Sequence, residues 1–597
     1  MEPNLLSMSR IFLVTCVALA TGAAAYAVAL AWLPASFVDG HYLPLGTDSF
    51  YHAHRILDTV ANPGAFYEFD PRMHAPEGSW ITWPWAYDLL LAWTVIGLRH
   101  IVPAAEPMAI LAYIPPTWAF VNAALLVGLG ANLGLQVPLL VLLGGAFAFS
   151  PLTQDLHGIG VIDHHYVEYT FVLATLLAGL RWLQAPPDAR RAALLGVALG
   201  TAPAFHNGLF ALQLPVDATL LLLWLNGQLP PARSVRAFAA ALVLLTLAVV
   251  LPSQPFRLGQ FSFTTLSWFH LYVATLSAAG ACYLSWRPRS ARELAILATL
   301  GAAALVPIAH EIVTGSRFLS ATLVKLGEMN EAISIAGMFA RDGLGSVAMT
   351  YSALVFALPL IAIAAAVGVL RPNVAPHWRF AAVFALFGLG LLCFQLRLHY
   401  YGTAFLFLAP LLALQRVLPQ LPPRRMLAAG LIGAATYVAA CTPPFPALWL
   451  PVPTGWDFNY MFTRSLYPRL AQACAERPGV VLADNNDGHY IVYHTRCSVI
   501  SNNFILTPQH EQKLLLTDHL LELSARQIAD GYPWIDYIFV HRDFGATDAP
   551  LTGLRQELLG GAPLAPGLEL IVQGEVPTGG GQTVVGARAV RIDRSAR

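Results

Sequence analysis

The residues best equipped for chemistry lie in Gly160-Val161-Ile162-Asp163-His164-His165-Tyr166-Val167-Glu168, read together with Asp48 far upstream. An acid and two imidazoles sit here between two long apolar segments. Ionisable groups beside membrane spans are costly and tend to be functional. The spacing Asp163-x-His165 lets a carboxylate and an imidazole turn toward one divalent cation. The alternative is a polar helix cap at a membrane–water boundary. Two further stretches bear on the choice. Residues 34–106 carry Asp48, His52, His54, Asp70, His74 and Glu77, and residues 312–345 carry Arg317, Glu328 and Glu331. Carboxylates and neutral imidazoles suit a hard or borderline ion such as Mn²⁺ or Mg²⁺.

The elements that must position these groups are membrane helices. The chain is 56% hydrophobic and 11% charged, against about 25% charged residues in soluble domains. A polytopic membrane protein is expected. Apolar runs place thirteen spans at 11–33, 107–131, 136–152, 167–184, 191–206, 208–226, 235–252, 265–285, 293–311, 346–370, 379–396, 400–416 and 426–442. The first reads as a retained span rather than a signal peptide, since no convincing cleavage site follows it. Residues 87–102 read as a helix lying in or against the membrane surface.

Loop charge sets the orientation. With the N-terminus inside, the inner connections collect Arg181, Arg190, Arg191, Arg233, Arg236, Arg287, Arg289, Arg292, Arg371, Arg379, Arg416, Arg424 and Arg425. The outer connections after 206 and near 253–264 offer only Arg257, as the positive-inside rule requires. Loops 34–106, 153–166 and 312–345 then face outward, as does everything after the last span. Residues 1–449 form the transmembrane domain in this reading. Residues 450–597 alternate short strand-like runs (479–483, 490–493, 537–540) with a helix at 508–531, which predicts a small α/β domain. Cys474 and Cys497 fall in it and can pair in an oxidising compartment.

Net charge is zero, so no basic surface points to nucleic acid. There is no Walker A loop or dinucleotide fingerprint, which argues against a nucleotide-driven pump. A non-enzymatic lipid or sugar transporter would place its ionisable groups near mid-membrane on broken helices. Here they gather in outer loops.

Gly46-Thr47-Asp48-Ser49-Phe50-Tyr51-His52, Pro76-Glu77-Gly78, Asp163-His164-His165 and Gly315-Ser316-Arg317-Phe318 with Glu328 together resemble the catalytic subunit of oligosaccharyltransferase. That family belongs to the C-type membrane glycosyltransferases (GT-C). The resemblance implies thirteen spans, an outward C-terminal domain, and transfer of a glycan from a polyprenyl-(pyro)phosphate donor. It implies a metal held by Asp48, Asp163 and His165, with Glu328 as a further ligand or as the group that orients the acceptor. It implies donor-phosphate binding by Arg317 and Arg397. The alternative within this chemistry is a polyprenyl-monophosphate-sugar donor with a glycan or lipid acceptor. One departure concerns the acceptor. Where the family carries Trp-Trp-Asp-x-Gly to read the Ser/Thr of the asparagine sequon, this chain has Asp484-Asn485-Asn486-Asp487-Gly488.

Other readings assign no chemistry. Asp48 caps a helix, and His164 and Glu168 are structural. His52, His54 and His74 are solvated or packed, with His52 one helical turn from Asp48. Asp487 and His489 form a turn and a strand start.

Overall fold

The computed structural model describes residues 8–64, 68–326, 333–442, 458–544, 549–577 and 583–594, with the backbone alone over 315–326. The expected boundary at 449/450 lies outside the described residues.

All thirteen apolar segments fall on helices. Among the described residues, eight are long and apolar enough to cross a membrane, from Met8–Ser36 to Thr403–Gln420. Val137–Phe149 and Pro151–His157 make a ninth, bent by 59° where Ser150 and Pro151 interrupt the ladder. The other four are the helices His165–Gln184, Ala189–Thr201, Trp268–Trp286 and Pro423–Cys441. Of residues 87–102, all but the C-capping Val102 lie within the helix Trp85–Ile101. The expected loop 312–345 begins as helix, because Ala291–Leu326 continues well beyond its apolar part.

Small residues bring the bundle together. Helix Ala189–Thr201 packs on Ala232–Val250 through Gly196 and Gly200, one turn apart. A Cβ at either would run into the backbone of Phe238 or Leu242. Lipid supplies no hydrophobic drive for helix association, so such close backbone approach provides it through packing.

After residue 458 a five-stranded sheet forms in the spatial order Ser498–Val499, Val480–Leu482, Tyr537–His541, Thr583–Ile592, Leu568–Pro577. The first three strands are parallel and the last two antiparallel to their neighbours. The domain is α/β, as expected, but two elements differ. Residues 490–493 are not a strand. They belong to the helix Gly488–His494. Their β-branched and aromatic content favours a strand locally, yet tertiary contacts decide: Tyr490 and Tyr493 meet Phe50 edge-on at 4.8 and 5.0 Å. For the same reason Asp487 and His489 lead into a helix rather than a strand. The helix over 508–531 is two, Pro508–Glu522 and Ala525–Gly531, divided where Ser524 N-caps the second in a capping box. Cys474 and Cys497 form a disulfide with both residues buried.

This domain is fastened to the first long loop. Ala75 N donates to Val499 O at 2.9 Å, and Val499 N donates to Arg72 O at 2.8 Å. The Arg72 guanidinium caps the end of helix Gly488–His494 through Val492 O and Thr495 O. Lys513 reaches Ala75 O at 2.8 Å and also binds Glu77. The domain is thereby held against the helix Thr47–Ala61, which carries Asp48.

Candidate active site and metal centre

Two backbone ties set the site. Leu45 N donates to Gly160 O at 2.8 Å, and Gly160 N donates to Ala112 O at 3.0 Å. Gly160 has φ +87°, and a Cβ there would strike Ser36 Oγ. Only glycine lets the second loop lie this close to the first. Shortly beyond these ties, Asp48 enters the first turn of Thr47–Ala61 and Asp163 precedes the helix His165–Gln184. Both acids thus stand at helix N-termini, where the dipole favours negative charge.

Asp48 is not the N-cap of its helix; Gly46 is. Its Oδ1 accepts from Thr47 Oγ1 at 3.3 Å and from Asn503 Nδ2 at 3.2 Å. Asn503 comes from the C-terminal domain, which therefore reaches into the site.

Asp163 Oδ1 accepts from His164 N at 2.7 Å and lies 2.8 Å from His164 Nδ1. Its Oδ2 lies 3.5 Å from His165 Nε2. Burial pushes its pKa up, but His165, His164 and His52 outweigh burial and hold the carboxyl well below its usual range. His165 also approaches Glu168, with Nδ1 3.5 Å from Oε2, and its ring stacks on Tyr400 at 5.9 Å.

His52 is packed, not solvated, at 1% exposure. Its Nδ1 lies 2.7 Å from Asp88 Oδ1, whose other oxygen accepts from Arg55 at 2.8 Å. A carboxylate on Nδ1 fixes that nitrogen as the donor, which leaves the lone pair on Nε2. Nε2 faces His164 Nδ1 at 3.3 Å. His54 and His74 are also buried, and burial lowers the pKa of both, that of His74 to about 4.

Two sets of side chains bring ligand atoms within 4.8 Å of one another: His52, Asp163 and His164, and then His164, Glu168 and His206. Among the described residues, Asp48 and His165 join neither set as closely; His165 borders the first through Asp163, and Asp48 lies one helical turn before His52. A carboxylate with imidazole nitrogens around it is a donor set that fits a divalent cation. Five atoms in this cluster are buried without a hydrogen bond: His164 Nε2, His165 Nδ1, both Glu168 oxygens and His206 Nδ1. Arg397 is half-buried on the 3₁₀ helix Leu396–Tyr401, the turn that carries Tyr400. The Arg317 side chain and all of Glu328 lie outside the described residues.

His206, Asp88 and Asn503 were not singled out from the sequence. Asp88 alone had a signal, an acid inside an apolar helix.

The stretch Asp484–Gly488 is engaged internally. Asp484 accepts from Asn486 N at 3.1 Å and from Arg555 at 2.6 Å. Asn485 bonds Ser501 and reaches Asp518 at 3.4 Å. Asp487 lies 3.1 Å from His541 Nε2. A Cβ on Gly488 would strike Ser501 O.

No protein-family model matches the sequence, and no curated protein matches it. Solved structures do. The archaeal oligosaccharyltransferase AglB from Archaeoglobus fulgidus, in complex with an inhibitory peptide and a dolichol-phosphate, aligns with a TM-score of 0.63 at 16% identity, over 90% of this chain and 70% of that one. An Archaeoglobus fulgidus oligosaccharyltransferase tethered to an acceptor peptide containing the NVT sequon gives 0.64 at 17%, over 88% and 69%. A complex with zinc and sulfate gives 0.58 at 16%, over 96% and 73%. At such identities the likeness is one of fold: this chain is a polytopic membrane protein with the GT-C fold of archaeal oligosaccharyltransferase, the fold its motifs had suggested.

Proposed function

We propose that the chain is a membrane glycosyltransferase. It transfers a glycan from a polyprenyl-(pyro)phosphate donor to an acceptor at the outer face of the membrane. The observation that carries this reading is the cluster of Asp163 with His52, His164 and His165 at a helix N-terminus, laid beside the Asp48 helix in a fold like that of oligosaccharyltransferase.

Asp48, Asp163 and His165 hold a divalent cation, Mn²⁺ or Mg²⁺. When bound, the ion supplies Lewis-acid stabilisation of the charge that develops on the leaving phosphate. Arg397 and Arg317 bind donor phosphate, for which the guanidinium offers permanent charge and fork geometry. Glu328 joins the metal or orients the acceptor nucleophile. Asp88 keeps the lone pair of His52 turned toward His164 Nδ1, and Asn503 positions Asp48. The apolar helices hold the polyprenyl tail. The arginine distribution supports an inside N-terminus and a site on the outer side, which in a bacterium would be the periplasmic face of the inner membrane. The acceptor is a protein, glycan or lipid.

The test is lipid-product analysis with purified protein and candidate donors. Released polyprenyl pyrophosphate is the expected product. Monophosphate alone would transfer the assignment to a monophosphate-sugar enzyme. Release of neither, with every donor tried, would leave no glycosyltransferase.

A further inference from the structure

Glu168 is fully buried, and neither of its oxygens makes a hydrogen bond. His206 Nδ1 lies 3.0 Å and His164 Nε2 3.1 Å from its Oε1. Both nitrogens are likewise buried without a hydrogen bond. The three atoms are close, yet none bonds another in a proper donor–acceptor geometry. Leaving them so is costly, since buried polar groups need partners.

We propose that His164 Nε2, Glu168 Oε1 and His206 Nδ1 form a second cation site, of zinc type, distinct from the Asp48–Asp163–His165 set. Three observations support it. The first is spacing. A tetrahedral site with bonds of about 2.0–2.1 Å separates neighbouring ligand atoms by roughly 3.3 Å. The separations of 3.0 and 3.1 Å sit just inside that figure.

The second is the donor set. Two imidazoles and one carboxylate favour zinc over the oxygen-seeking magnesium.

The third is the environment of His164. Its other nitrogen, Nδ1, lies 2.8 Å from Asp163 Oδ1. A metal on one imidazole nitrogen and a carboxylate on the other is the arrangement that fixes the tautomer and raises ligand basicity. The ring centres of His164 and His206 lie 4.7 Å apart. Trp83 walls both, at 4.7 and 5.8 Å between ring centres. The site would join the helix His165–Gln184 to the connection between Ala189–Thr201 and Gln213–Leu225, far apart in sequence. Asp163 would then serve both sites, as a ligand in one and as the orienting carboxylate of the other. The proposal stands whether or not the chain transfers glycans.

The experiment uses the full chain in detergent, stripped by chelator and titrated with Zn²⁺ and then Co²⁺. Wild type and Asp48→Ala should each take up one tight equivalent of zinc, and cobalt should give the visible absorption of a four-coordinate ion. His206→Ala and Glu168→Gln should weaken that equivalent at least about 100-fold. Zinc should raise the melting temperature of wild type and Asp48→Ala, and leave that of a folded His206→Ala unchanged. If the variants fail to melt cooperatively, X-ray absorption on zinc-loaded wild type decides, with two imidazole ligands expected. No zinc on wild type, unaltered binding in folded His206→Ala, or fewer than two imidazoles would each overturn the proposal.

Discussion

Two buried carboxylates, Glu168 beside the membrane helices and Asp487 in the C-terminal domain, differ in the number of imidazoles around them. Asp487 is 2% exposed and meets one imidazole, His541. The other nitrogen of His541 is used as well, against Arg542 O at 2.6 Å. Burial lowers the pKa of His541, but Asp487 and the carbonyl raise it to about 9. One proton serves one pair, and the charges balance. Around Glu168 and Asp163 stand His164, His165 and His206, with His52 behind. Three imidazoles, His164, His165 and His206, share two carboxylates here, so the rings outnumber the acids. Burial is common to both places. An excess of imidazole lone pairs over acids marks a metal site, and one-to-one pairing marks a structural one.

The largest expected effect breaks the comparison at the metal side. Asp48→Ala and Asp163→Ala should each lower transfer by on the order of 100-fold or more while the protein still inserts and folds. Excess chelator should do the same to wild type. Asp487→Asn, although more deeply buried, should change the rate of folded protein only a few-fold. Near wild-type turnover for either alanine variant, or full activity in chelator, would refute the assignment of those acids.

The Asp487–His541 pair should appear in stability instead. The folded pKa of His541 lies above its ordinary 6.5, at about 9. Its contribution is therefore fully present below about pH 6.5 and is lost as the pH rises through about 9. At about 1.4 kcal/mol per pKa unit this is on the order of 3 kcal/mol. Hydrogen exchange of the strand Tyr537–His541 should accelerate between pH 7 and 9 beyond the intrinsic rate increase. Asp487→Asn should start less stable and show a shallower dependence. A slope identical in both proteins would separate the pair from the stability of the sheet.

The same contrast explains what the sequence made legible. Helices followed from apolar runs, because a membrane span needs length and hydropathy and little else. Asp48 and Asp163 stood out as acids beside such runs. His206 did not, because the turn that brings it to Glu168 is made by the packing of two helix pairs and leaves no mark on spacing. His52 was visible as one turn from Asp48, but its buried partner Asp88 lies across the loop. In the C-terminal domain Tyr490–Tyr493 suggested a strand because aromatic and β-branched residues favour one. Phe50, more than four hundred positions earlier, holds them as helix.

The smallest expected effect is a difference that should be nearly absent. A site that reads a Ser or Thr hydroxyl needs a hydrogen-bonding partner and an apolar wall for the methyl or Cβ. At Asp484–Gly488 the partners are already engaged. Asp484 holds Arg555, Asn485 holds Ser501, and Asp487 faces His541. The side chains of this run are short and polar and provide no wall, and Gly488 is pressed against the backbone of Ser501. Sites that do hydrogen-bond a substrate hydroxyl reject analogues lacking it by about 10⁴–10⁵. Without such a site the choice relaxes. Transfer to two matched peptides, one Asn-x-Thr and one Asn-x-Ala, should therefore differ by no more than a few-fold, including no transfer to either if the acceptor is a glycan or lipid. Efficient glycosylation of the Asn-x-Thr peptide alone would show that another part of the chain reads the sequon, and would make ordinary N-glycosylation the function.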